Sequence, residues 1–146
     1  MENINTIKLT VLSITGVIGA FVANLFGGWD SALTTLLIFM AADYITGLIV
    51  AGVFHTSPKT DSGTLSSKVG WKGLCKKGGT LLIILIAVRL DMTLNTDYIK
   101  DFAVIGYLVN EGISILENLE LMGVWIPPIM SKALDILQSK TESEAK

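Results

Sequence analysis

From residue 32 to residue 54 the chain runs with a single charge, Asp43, and no proline. As a helix such a stretch is long enough to cross the ~30 Å hydrocarbon core of a bilayer, which takes ~20 predominantly apolar residues. Hydrocarbon offers no water to backbone N–H and C=O groups, so a segment that crosses alone must satisfy them internally, as a helix does. Residues 7–26, 78–95 and 102–122 form three further apolar blocks. Composition agrees, because 51% of residues are hydrophobic and 16% charged, against ~25% charged in soluble domains. The expected fold is an all-α, polytopic membrane protein, with four transmembrane helices in a domain of residues 1–126.

Charge distribution suggests how these helices are oriented. Gly27, Gly28, Trp29 and Asp30 form a short turn that makes a hairpin of the first two segments, with Trp29 at an interface. Residues 55–77 carry Lys59, Lys68, Lys72, Lys76 and Lys77 against one acid, Asp61. Short basic loops stay cytoplasmic, so 55–77 is expected as an internal loop, and the lysines as topology and anionic-lipid anchors. Asp91, Asp97 and Asp101 gather at the opposite, external connection. Both termini are then cytoplasmic, unless segment 102–122 lies on the membrane instead of crossing it. No small-x-small cleavage site stands out after the first segment, which is expected as a retained helix. After Pro127 and Pro128, the remaining region 127–146 holds a short amphipathic helix with Ile129, Met130, Ala133, Leu134, Ile136 and Leu137 on one face. From residue 140 the polar tail lacks periodicity and is expected to fray.

Several function classes lose their footing here. Eleven basic and thirteen acidic residues give a net charge of −2, so nothing points to nucleic acid as a partner. One cysteine, Cys75, and one histidine, His55, make neither a disulfide nor a Cys/His zinc site. The chain has no GxxxxGK[ST], HExxH or GxSxG motif, and Gly78-Gly79 alone does not make a phosphate cradle. Neither an enzyme nor a cofactor is expected.

The helix faces are more informative. On the first segment Gly16, Gly19, Ala20 and Ala23 form a small-residue face, the usual means of close packing in lipid, within one subunit or between subunits. On the second, Asp43 lies near the middle with Gly47 one turn on, and a central carboxylate costs ~3 kcal/mol unless it faces a partner, water or a proton. Counted from the outer helix ends, Asp43 and Glu111 lie ~14–17 Å deep and fall in one layer. Arg89, at ~10 Å depth, is expected to reach one of them. The cluster reads as a static ion pair, a seam that hydrates when subunits rearrange, or a proton relay. On the fourth segment Asn110, Ser114, Glu117 and Asn118 make a polar stripe bordered by Glu111. That stripe suits either a helix capped by its own bundle or one lining water among several copies.

The words of the sequence add to its periodicity. Asp43-Tyr44-Ile45-Thr46-Gly47 is followed by Lys68-Val69-Gly70-Trp71-Lys72-Gly73-Leu74-Cys75-Lys76-Lys77. Then come Asn110-Glu111-Gly112-Ile113-Ser114-Ile115-Leu116-Glu117-Asn118 and Gly123-x-x-Ile126-Pro127-Pro128. In order and spacing, over roughly residues 35–138, this resembles the phage lysis and toxin-secretion holin family. The resemblance implies a multi-pass protein of the bacterial cytoplasmic membrane that homo-oligomerises into a lesion releasing an endolysin or a large toxin. It carries over Asp43, Gly47, Asn110, Glu111, Glu117 and Asn118 as candidates for assembly, and no catalytic residue. Whether an antiholin is a further partner stays open.

The expected mechanism packs subunits through Gly16, Gly19, Ala20 and Ala23. Asp43, Arg89 and Glu111 hold a closed bundle whose polar seam opens on assembly. The rival readings are a small ion-coupled channel or transporter subunit, for which an intramembrane carboxylate pair also makes sense, and a membrane adaptor working through its basic loop and C-terminal helix.

Overall fold

The computed structural model describes residues 2–144, which are α-helical apart from short connections and contain no strand among the described residues. The helices are α1 (Glu2–Leu25), α2 (Ser31–Ile49), α3 (Ser67–Leu94), α4 (Ile99–Leu121) and α5 (Pro128–Glu144), and α2 runs on into a π-helical turn, Val50–Phe54. Two compact units divide between Asp30 and Ser31. The spans Ile4–Leu25 and Ser31–Phe54 are long and apolar enough to cross a membrane.

In the first unit, α1 presents its apolar side chains outward, Leu12 at 74% and Val17 at 71% exposure. Its threonines do not break that surface. The Thr10 and Thr15 hydroxyls donate to the carbonyls of Thr6 and Val11 at 2.9 and 2.8 Å, one turn back on the same helix. The helix stops where Gly27 and Gly28 take positive φ, which a side chain would resist, and the Gly28 N–H closes on the Ala23 carbonyl at 2.8 Å.

The second unit is built around α4, which packs against α2, α3 and α5. Buried positions repeat at helical spacing: Leu33, Leu36, Met40 and Asp43 on α2 with Val50 in the π-helical turn that follows, and Ile84, Ala87, Val88 and Asp91 on α3. Phe39 of α2 lies beside Gly112 of α4, and further along both helices Gly47 lies beside Asn118, so these two run parallel. Helix α3 returns antiparallel between the connections at its two ends. Leu134 of α5 fits where Gly112 has no side chain, since a Cβ there would stand 2.8 Å from Leu134 Cδ2.

Helix α3 begins eleven residues earlier than the apolar pattern suggests, at Ser67 instead of 78. The basic loop is therefore 55–66, and it retains only Lys59, while Lys68, Lys72, Lys76 and Lys77 are helical. Gly70 and Gly73, which read as loop residues, are contact points: a Cβ on either would lie 3.6 and 4.0 Å from the Tyr44 ring system of α2. The C-terminal helix continues to Glu144, past residue 140 where the apolar periodicity ends, and residues 145–146 lie outside the described residues.

Side chains and backbone strain set the remaining ends. His55, at φ 55°, closes the π-helical turn and Asn95, at φ 54°, closes α3. Asp91 then caps the next helix, accepting from Thr96 Oγ1 at 2.6 Å and from the backbone N–H groups of Ile99 and Lys100 at 3.1 and 2.8 Å. Those N–H groups have no partner inside the first turn of α4. Replacing Asp91 with Ala should cost about 1–2 kcal/mol, the usual scale for a lost cap. The check is thermal unfolding of the purified protein in detergent, where Asp91→Ala should melt several degrees lower than Thr93→Ala, a neighbouring exposed threonine on the same helix.

Candidate functional site

Three helices converge on one ammonium group. Lys77 of α3 donates to Asp43 Oδ2 of α2 at 2.8 Å and to Glu111 Oε2 of α4 at 2.5 Å. The site is largely shielded, with the Lys77, Asp43 and Glu111 side chains 14%, 11% and 8% exposed. Asp43 and Glu111, both expected near mid-helix in one layer, are brought together here, and Lys77 is what joins them. Asn118 completes the site from α4, its amide donating to Asp43 Oδ1 at 3.2 Å, the Asp43 carbonyl at 3.3 Å and Thr46 Oγ1 at 3.0 Å. Thr46 in turn donates to the Ala42 carbonyl at 2.8 Å. The Ser114 hydroxyl approaches the same Asp43 carboxylate.

Local sequence explains the convergence. On α3, Gly70, Lys77, Ile84 and Asp91 recur every seven residues, so Lys77 projects from the face that packs on the other helices. On α4, Glu111 and Asn118 share that spacing and are both buried. Gly47 gives the Asn118 amide its space, a Cβ there standing 3.7 Å from Nδ2. No buried side-chain N or O atom lacks a hydrogen bond among the described residues. The arrangement is a clamp of charges and amides, and no group of three or more His, Cys, Asp or Glu that could hold a metal occurs among the described residues.

A shallow open cleft leads to this clamp. Ser57, Lys59 and Thr64 of the loop border it, together with Tyr44 of α2 and Gly73 of α3, and Asp43, Lys77 and Asn118 also line it. The loop holds its shape through Thr60 Oγ1, which donates to the Thr64 carbonyl at 2.9 Å, and through Gly63 at φ +71°, where a Cβ would collide with the His55 carbonyl.

The expected bridge from Arg89 is not found. Its guanidinium is exposed and lies 3.6 Å from Met92 Sδ on the same helix. Arg89 is twelve residues beyond Lys77, about 18 Å along the helix and about a third of a turn around it. The lysine was obscured because its neighbours, rich in Lys and Gly, read as loop; the seven-residue recurrence was the signal that marks it. The polar stripe expected on α4 is split between two faces. Glu111 and Asn118 turn inward with half-buried Ser114, while Asn110 and Glu117 are exposed on the outer side. On α1, Gly16, Gly19 and Ala20 are exposed and Ala23 is half-buried. Lys68, Lys72 and Lys76 occupy the outer face of α3, away from Lys77.

Comparison with known proteins supplies a context. A family described as the bacteriophage holin family matches residues 20–139. The chain is 40% identical over 143 residues to an uncharacterized 14.9 kDa protein of Clostridium perfringens, covering 96% of this chain and 99% of that one. It is 38% identical to an uncharacterized protein of Listeria monocytogenes, over 88% of this chain and 87% of the other. With a probable holin of Bacillus phage phi105 it shares 30% identity, over 78% of this chain and 79% of the phage protein. No solved structure matches.

Removing one partner of a buried ion pair typically costs 3–5 kcal/mol, because the other charge stays buried, whereas removing all the charges together is often neutral. Lys77→Met should therefore strongly destabilise the bundle, and Lys77→Met combined with Asp43→Asn and Glu111→Gln should recover most of the loss. Arg89→Ala should leave stability within about 0.5 kcal/mol, as for surface substitutions generally. Denaturant unfolding in detergent measures all three, and equal losses for Lys77→Met and Arg89→Ala would refute the assignment.

Proposed function

The chain belongs to the bacteriophage holin family, and on that premise we propose that it inserts in the cytoplasmic membrane of a bacterial host, homo-oligomerises, and opens a lesion that releases an endolysin or a large toxin. The observation that carries this reading is the family match over residues 20–139, to which the 30% identity with a phage's probable holin adds. Helices α1 to α4 each cross the membrane in this reading. Loop 55–66, the start of α3 and the end of α4 are on the cytoplasmic side, in keeping with Lys59, Lys68 and Lys72 there, and α5, which leaves from that side, packs Leu134 against Gly112 of α4.

The clamp supports the crossings of α3 and α4, whose own apolar character is weaker than that of α2. Lys77 sits about ten residues inside its helix from the loop end, as Glu111 does from Leu121, so both charges would be far from water if unpaired. Paired with Asp43 and shielded by Asn118, they are satisfied inside the bundle and not against lipid. A lesion large enough for a folded protein needs polar surface facing outward as well, and Asn110 and Glu117 provide it on α4.

Controlled expression in a bacterium carrying a cytoplasmic endolysin without its own export signal tests the reading. The expected outcome is abrupt lysis that requires both proteins, together with release of a large cytoplasmic reporter enzyme. Depolarisation with endolysin and reporter both retained would replace the lesion with a small ion pathway, and an inserted protein with no effect on either would leave an adaptor.

A further inference from the structure

The clamp fixes how residues of α3 and α4 share levels along the bundle. Lys77 meets Glu111, and at the far end Asp91 meets the N–H groups of Ile99 and Lys100, so the two helices keep one antiparallel register over most of their length. Counting from the Lys77–Glu111 contact toward the loop end, Lys68 and Glu120 each lie nine residues away, about 13 Å. Lys72 and Glu117 lie five and six residues away, about 7 and 9 Å. Lys76 and Asn110 are both within about 2 Å of the contact level.

All six of these residues are exposed, on the outer faces of their two helices. Between Ser62 and Leu90 the chain has no acid at all, and Lys68, Lys72, Lys76, Glu117 and Glu120 make no ion pair among the described residues. One helix therefore carries an unpaired basic face, and another an unpaired face of two acids and an amide. Lys72 and Lys76 are also too close to the level of the clamp to be left comfortably in hydrocarbon.

Copies inserted in the same orientation are related by rotation about the membrane normal, which preserves depth. A contact between two identical faces would set lysine against lysine, or glutamate against glutamate. A contact between the α3 face of one copy and the α4 face of the next sets Lys68 against Glu120, Lys72 against Glu117 and Lys76 against Asn110. We propose that this basic-on-acidic pairing is the subunit interface, a head-to-tail contact that uses two different faces of each copy and so extends into a ring or arc. It deepens the assembly reading above and rests on it. A small residue favours the approach, since Cys75 lies between Lys72 and Lys76 on the exposed face of α3.

The exposed thiol of Cys75 makes the contact measurable. Cys75 and Ile113 are each two residues from the Lys77–Glu111 level and both face outward. With Ile113→Cys added, every copy carries one thiol on each face. Mild oxidation of the full chain in bacterial membranes should then give a ladder of trimers and larger species, where Cys75 alone gives none. K68E/K72E in that background should abolish the ladder, and K68E/K72E/E117K/E120K should restore it. Dimers only would mean a same-face contact, and a ladder indifferent to charge reversal would mean that other residues hold the copies together; either overturns the interface. Persistent oligomers by in-membrane sizing without any ladder would place the contact elsewhere and leave the holin reading intact. A parent chain that stays monomeric by the same sizing would remove the assembly reading and this interface together.

Discussion

One ammonium group between two carboxylates sets the register of the main unit. Each of α2, α3 and α4 contributes one charge from its interior, so a slip of α3 by one turn, about 5.4 Å, would break both bonds of Lys77 at once, and the same slip of α2 or α4 would break one. Apolar side chains pack adequately in several registers; a fixed trio of charges does not. Burying two carboxylates against one ammonium also obliges the site to recruit neutral donors. Asn118 and Ser114 on α4 supply them, and the Asn118 amide reaches Asp43 because Gly47 has no side chain. The glycine, the amide and the ions thus form one constraint, although Asp43 and Asn118 are 75 residues apart in sequence.

Much of this architecture was legible in the chain, and the exceptions share a cause. Helices were readable wherever apolar residues ran long, and a mid-helix Asp43 in a twenty-residue apolar stretch demanded a partner on energetic grounds alone. The partner was hidden because lysine and glycine are poor markers of a helix and good markers of a loop. In α3 those same residues have tertiary reasons to be helical: Gly70 and Gly73 accommodate the ring of Tyr44, and Lys77 reaches across to two other helices. Arg89 looked better placed because a helix expected to begin at 78 left Lys77 in the loop, whereas α3 begins at Ser67. Asp91 was equally opaque, since its three acceptor contacts span a turn whose geometry depends on the left-handed Asn95.

The polar residues of α4 show why a stripe on a helical wheel is an incomplete description. Asn110, Glu111, Ser114, Glu117 and Asn118 fall within a broad arc, and that arc is wide enough to be divided by a neighbouring helix. Glu111 and Asn118, seven residues apart, meet α2 and α3; Asn110 and Glu117, also seven apart, remain outside. The first pair closes the bundle on itself, whereas the second leaves it with polar surface to satisfy.

That division bears on how such a bundle can meet water without coming apart. If the clamp itself had to open, hydration would require separating Lys77 from both acids, with buried charges exposed to hydrocarbon until water arrived. Outward polar faces remove that difficulty. In the proposed ring, Lys68 and Lys72 on one side of a subunit and Glu117 and Glu120 on the other find partners in neighbouring copies, and whichever of these residues lie toward the centre of the ring remain compatible with water. Each subunit then moves as a rigid body, its three helices still tied by Lys77, and the transition from dispersed to assembled protein exchanges lipid for protein and water only on the outside. The same lysine-rich segment would serve both states, with Lys77 closing the subunit and Lys68, Lys72 and Lys76 joining it to the next.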